Sequence, residues 1–258
     1  MKILTIGNSF SVDSMKYVYQ IAKASGIEKI ELGNLYRSGC SLATHLSKAL
    51  SDLPAYTYYT NDNGEWQENP TYKLVDAVKS NDWDFISFQQ SSAKSGVAET
   101  YDDLNALISI VEPLCTNKNV KFVWHMTWAY QSDSTHDAFS TYSNDQIKMY
   151  DTIVSAVQQK IVPNDKIVKI IPNGTAVQNA RTSYLGDTLT MDGYHLNSLG
   201  NYIVGLTWIL TITEWNISEF STSVVPVTFR QHYNVIYESA INAINVPYEI
   251  TNSNYKVK

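Results

Sequence analysis

The chain has 258 residues, 44% of them hydrophobic and 17% charged, which is enough for one α/β domain with a sizeable core. Its formal charge is −6 and its basic residues are scattered, so no nucleic-acid partner is expected. No apolar run approaches about 18 residues, so no membrane span is expected either. Cys40 and Cys115 are too few for a zinc site or a disulfide framework. They read most simply as buried free thiols, with a single bridge between them as the alternative. Met1–Gly7 runs directly into a strand without the apolar core of a signal peptide, so the expectation is a cytoplasmic protein, or an exported one with its signal removed. Aromatic residues make up 12%, a supply that suits stacking on sugar rings as well as core filling.

Lys2–Ile6 is the first predicted strand, and Val12–Ser25 follows with apolar residues at helical spacing and Gly26 as its stop. Lys29–Tyr36 reads as a strand and Ser41–Leu50 as a helix capped by Ser41. Ala55–Thr60 and Glu65–Tyr72 flank Asn61-Asp62-Asn63-Gly64, which predicts a β-hairpin; the spacing of a calcium loop is missing. A helix at Tyr72–Ser80, a strand at Asp84–Phe88 and a helix at Tyr101–Thr116 come next. Val120–Met126 is a strand, Asn144–Lys160 a helix and Lys166–Ile171 the last strand. Helices at Thr175–Ser183, Leu196–Thr213 and Thr228–Ile244 complete the chain. This alternation predicts one domain over residues 1–258, a three-layer α/β/α sandwich on a mostly parallel sheet, with the hairpin near residues 55–72 as an insertion.

In such sheets ligands bind beyond the carboxyl ends of the strands. Those ends carry Gly7-Asn8-Ser9-Phe10-Ser11, Arg37-Ser38-Gly39-Cys40-Ser41, Gln89-Gln90-Ser91-Ser92, Thr127-Trp128-Ala129-Tyr130 and Asn173-Gly174, small and polar after greasy strands. A serine between strand and helix is more often a cap than a nucleophile, and on that segment alone Ser9 or Ser11 reads as the cap of the first helix. Near the other end stands Asp192-Gly193-Tyr194-His195. There a carboxylate three residues before an imidazole can orient it, leaving the far ring nitrogen to accept a serine proton.

Ile6-Gly7-Asn8-Ser9-Phe10-Ser11 resembles the first block of the SGNH, or GDSL-like, hydrolase superfamily, with Asn8 where many members have Asp. Gly39 resembles the glycine of the second block, and Asp192-Gly193-Tyr194-His195 the terminal D-x-x-H block. Trp124–Tyr130 and Gly174–Arg181 are similar to an uncharacterised subfamily of it. The resemblance implies an SGNH/flavodoxin-like fold and a cofactor-independent esterase with Ser9, Asp192 and His195 as its triad. It also implies an oxyanion hole from the Ser9 and Gly39 N–H groups, and small acyl esters, such as acetylated carbohydrates, as substrates. The third block, normally G-x-N-D, is absent. Gln90, with Gln89 close behind, is the expected substitute amide donor, and losing such a donor costs about 10²–10³ in rate.

His125, Trp128 and Arg181 are candidate substrate contacts, the alternatives being packing for the first two and carboxylate pairing for Arg181. No motif accompanies His125 or His136 that would hold a metal, so none is expected. Two rival classes remain: a catalytically weak or inactive glycan-binding protein on the same scaffold, and a nucleotide-binding protein. The second fails because no glycine-rich phosphate loop occurs. Asn173-Gly174-Thr175 and Asn216-Ile217-Ser218 fit the glycosylation pattern.

Overall fold

The computed structural model describes residues 1–213, 215 and 220–257, so the tripeptide at Asn216 lies outside the described residues. The strands are β1 (Lys2–Gly7), β2 (Glu31–Tyr36), β3 (Tyr56–Asn61), β4 (Gln67–Tyr72), β5 (Phe85–Phe88), β6 (Lys121–His125) and β7 (Ile167–Ile171). They form one sheet in the order β4-β3-β2-β1-β5-β6-β7. Strands β2, β1, β5, β6 and β7 are parallel, and the β3–β4 hairpin is antiparallel at one edge. The expected α/β class, sheet and hairpin are therefore present. The central strands β1 and β5 are apolar and almost fully buried, as a parallel sheet covered on both faces requires. At the outer edge, β4 is exposed along most of its length and breaks register opposite Tyr56 and Tyr58, where it carries Pro70.

The helices are α1 (Ser9–Met15), α2 (Val18–Ala24), α3 (Leu42–Ser51), α4 (Leu74–Lys79), α5 (Asp103–Leu114), α6 (Gln146–Lys160), α7 (Asn173–Arg181), α8 (Ser198–Ile212) and α9 (Tyr233–Asn245). Helices α1 and α2 pack on α8, which also meets α7 and α9, while α3 and α4 pack on α5. One continuous apolar core runs from Ile3 to Ala243. Among the described residues, no helix is long and apolar enough to cross a membrane. Cys40 and Cys115 are free and buried.

Several boundaries differ from the sequence reading, among them the last helix, which begins at Tyr233 rather than Thr228 because Val227–His232 forms a 3₁₀ turn. The predicted Val12–Ser25 helix begins three residues earlier and is broken into α1 and α2 around Lys16 and Tyr17. The cap is Asn8, whose side chain accepts the Phe10 N–H, rather than Ser9 or Ser11. Asn173 is fully buried in α7, which removes it as a glycosylation acceptor.

Register lines up the site. Ile6 pairs with Phe88, Phe88 with Trp124, and His125 with Ile171. The residues that follow, Gly7-Asn8-Ser9, Gln89-Gln90 and His125, thus leave the sheet in one row.

Candidate active site

Capping by Asn8 leaves Ser9 as the first residue of α1, half-exposed, with no hydrogen bond to its hydroxyl among the described residues. As a first-turn residue, its N–H has no partner inside the helix. Asn8 does more than cap. Its Nδ2 donates to the Cys40 carbonyl at 3.1 Å, tying the start of α1 to the turn that holds Gly39. The Gly39 N–H is likewise without an acceptor among the described residues, and Gly39 is exposed.

At the far end of the chain, Asp192 Oδ2 lies 2.7 Å from His195 Nδ1. Asp192 Oδ1 accepts the N–H groups of His195 at 2.8 Å and Tyr194 at 3.1 Å. Partial burial pushes this carboxyl up, but the hydrogen bonds from His195 and Tyr194 outweigh it and hold the group below the usual range. An ionised Asp192 places the ring proton on Nδ1, which leaves Nε2 as a lone pair with no partner among the described residues. Gly193 makes the turn possible, with φ +90° and a position where a Cβ would lie 3.1 Å from Ser134 Cα.

Two contacts dock this turn onto α1. The Leu196 N–H donates to Asp13 Oδ2 at 2.8 Å, and the Phe10 ring meets His195 edge-on at a centroid distance of 6.0 Å. Ser9 and Asp13 are four residues apart on α1 and so share a helix face. Ser9 is thereby on the side of α1 that faces the Asp192–His195 turn, although no hydrogen bond joins its hydroxyl to the ring in this structure.

The remaining expected residues lie beneath the site. Gln90 was the expected oxyanion donor, but it is buried with its Nε2 donating to Thr100 O at 2.7 Å and Thr100 Oγ1 at 3.0 Å. Its Oε1 accepts from Leu42 and Ser91, so its amide is committed to anchoring loops. Gln89 donates to Asn8 Oδ1 at 2.8 Å and faces His125 Nδ1 through Oε1 at 3.0 Å. Gly7 permits that crossing, since a Cβ there would sit 2.7 Å from Gln89 Oε1.

His125, Trp128 and Arg181 were expected against substrate, and all three are buried. His125 sits between Gln89 and Ser14, 3.0 Å from each, and burial lowers it to about 3, so its ring is neutral. Trp128 stacks on Phe10 at 4.2 Å and donates from Nε1 to Tyr194 O at 2.8 Å, holding the turn from below. Arg181 reaches Asp187 at 2.8 Å and donates to Ala129 O at 3.0 Å, so its role is the structural one. His136 caps a 3₁₀ turn through Nδ1, accepting from Ala138 N at 3.1 Å. Among the described residues, no group of three His, Cys, Asp or Glu side chains is placed to hold a metal.

Asn8 and Asp13 were not singled out as site residues by the sequence. The signal for Asp13 was its position one turn after Ser9 on the same face. A polar cavity of about 240 Å³ adjoins the turn, lined by Gln131, Asp133, Ser134, Thr190, Asp192 and Gly193. A larger one, about 520 Å³, lies between β7, α8 and the end of α9, away from these residues. The smaller is the one that touches the Asp192 turn.

The chain covers 83% of its length on an acetylxylan esterase from Geobacillus stearothermophilus (95% of that chain), at a TM-score of 0.54 and 12% identity. It matches a candidate SGNH hydrolase from Slackia heliotrinireducens at 0.50 and 18% identity, over 83% of this chain and 99% of the other. These likenesses establish the SGNH-type fold. No curated protein matches the chain. The crystal structure of a DUF4886 family protein from Bacteroides uniformis superposes at a TM-score of 0.91, with 36% identity over 98% of this chain and 97% of that one. Residues 2–243 match the family model described as a domain of unknown function, DUF4886, and the chain belongs to that family.

Proposed function

We propose that the protein is a serine ester hydrolase of the SGNH kind, with Ser9 as nucleophile, His195 as base and Asp192 as its partner. The observation that carries this reading is the 2.7 Å Asp192–His195 contact, docked through Asp13 onto the helix that begins at Ser9. In the proposed reaction Ser9 Oγ attacks the ester carbonyl as its proton passes to His195 Nε2. Asp192 stabilises the imidazolium that forms. The Ser9 and Gly39 N–H groups receive the negative oxygen, and Asn8 fixes the spacing between their two segments. His195 then protonates the departing alcohol, and a water activated by the same ring cleaves the acyl-enzyme. Gln89 supports the hole through Asn8 rather than donating to the oxyanion.

Acetylated carbohydrates are the proposed substrate class. The polar cavity beside Asp192 suits a hydroxyl-rich alcohol, and the structural likeness to an acetylxylan esterase points the same way. The test is fluorophosphonate labelling together with acetate release from acetylated xylo-oligosaccharides and p-nitrophenyl acetate, comparing wild type with Ser9→Ala. The expected result is labelling of the Ser9 peptide and loss of both activities in the variant; full activity of Ser9→Ala overturns the assignment.

One observation favours a second reading. With Gln90 committed to Thr100 and Gln89 to Asn8, neither of the two expected side-chain amides is left for the oxyanion. A glycan-binding protein on this scaffold would bind acetylated oligosaccharide saturably, without turnover or labelling.

A further inference from the structure

Among the described residues, Asp13 is the carboxylate that links α1 to the Asp192–His195 turn. It is 9% exposed, and its Oδ2 accepts the Leu196 N–H at 2.8 Å across 183 residues of sequence. A neutral acceptor such as Asn would make the same bond without burying a charge, a costly thing to do with one hydrogen bond. The charged groups facing it are His195 and Asp192 from the turn and Lys16 from its own helix. Helix α8, packed against α1, carries no charged side chain. Strand β2 presents Asn34, which accepts from Ser11 on α1.

We propose that Asp13 is a positioning residue for the ester-hydrolysis reading, holding the nucleophile's helix against the base's turn and setting a second negative charge beside the Asp192–His195 pair. Burial raises its carboxyl to about 6, opposed by the Leu196 N–H, His195 and Lys16 and reinforced by Asp192, so it is ionised at neutral pH. That charge favours the imidazolium formed during acyl transfer, in the same sense as Asp192 does.

The experiment measures kcat and KM on p-nitrophenyl acetate from pH 4.5 to 9 for wild type, Asp13→Asn, Asp13→Glu and Ser9→Ala, with a thermal melt of each. Asp13→Asn keeps an oxygen for Leu196 but loses the charge. Its acid limb is expected to move down by about 0.5–1 pH unit and its plateau kcat to fall about three- to tenfold, with KM nearly unchanged. Asp13→Glu keeps the charge at a wrong length, and is expected to retain the wild-type acid limb with a lowered plateau. A merely structural role moves the melt and not the limb. Ser9-dependent activity with identical pH profiles for wild type and Asp13→Asn, or a limb that moves equally in Asp13→Glu, overturns the inference while leaving the hydrolase reading intact. Activity independent of Ser9 overturns both.

Discussion

Replacing Asn8 with Ala tests the structural account most directly, because three hydrogen bonds meet there in a position only 2% exposed. Asn8 Oδ1 accepts from Phe10 N at 3.0 Å and from Gln89 Nε2 at 2.8 Å, and its Nδ2 donates to Cys40 O at 3.1 Å. Loss of the helix cap costs about 1 kcal/mol. Stranding the Gln89 donor and the Cys40 carbonyl costs about 1–3 kcal/mol each, less where water fills the gap. The sum, about 3–7 kcal/mol without such water, is a large part of the roughly 5–15 kcal/mol that holds a domain together. Urea unfolding followed by tryptophan fluorescence reads this as a lower midpoint at constant slope. Asn8→Ser separates the two roles, since a serine caps a helix but cannot reach Cys40 or Gln89; it should recover only about 1 kcal/mol. Full recovery in Asn8→Ser, or a change under about 1 kcal/mol in Asn8→Ala, would refute the idea that Asn8 braces the two segments.

Gly193→Ala forces a side chain onto a φ of +90° and against Ser134, at a cost of about 1–3 kcal/mol. It should lower kcat on p-nitrophenyl acetate by displacing Asp192 from His195, and undiminished kcat would show the turn to be more pliant than described. Acid stability reports on the buried histidines. Burial lowers His45 and His125 to about 3, below the roughly 6.5 of the unfolded chain, so between those values only the unfolded state takes the proton. Their stabilisation is complete above about 6.5 and is lost as pH falls. From pH 6.5, where the unfolded imidazole is half protonated, to pH 4.5 each loses about 2 kcal/mol, the full slope being about 1.4 kcal/mol per unit. Asp13, raised to about 6, acts in the opposite direction and partly offsets them between about 6 and 4. His45→Phe should unfold less steeply with acid than wild type in urea titrations at pH 7 and 4.5; equal slopes would exclude His45 as a contributor.

What the sequence disclosed was local. The buried strands, the hairpin at Asn61–Gly64 and the D-x-x-H spacing all depend on neighbours a few residues away, and each is recognisable in the chain. What it hid was decided across the fold. Whether Asn8 or Ser9 caps α1 depends on the direction in which the chain leaves β1. Gln89 and Gln90 are adjacent and chemically identical, yet one turns toward Asn8 and the other toward Thr100, partners that only the fold brings to them. Asp13 reads as an ordinary solvated acid in a short helix until Leu196, far along the chain, closes over it. The buried His125 and Trp128 stand at a strand end in the sequence and Arg181 late in a helix, and all three are struts in the structure.

The appended hairpin also covers an edge of the parallel sheet. An open strand edge is a template for another chain, and β2 would be such an edge without β3 and β4. The hairpin replaces it with Gln67-Glu68-Asn69-Pro70, a rim bearing a charge, a missing N–H donor and an irregular register. Strand addition is discouraged on that flank. On the opposite flank Lys169, at the centre of β7 and reaching the Thr211 carbonyl at 2.8 Å, is the charge that stands against the same hazard.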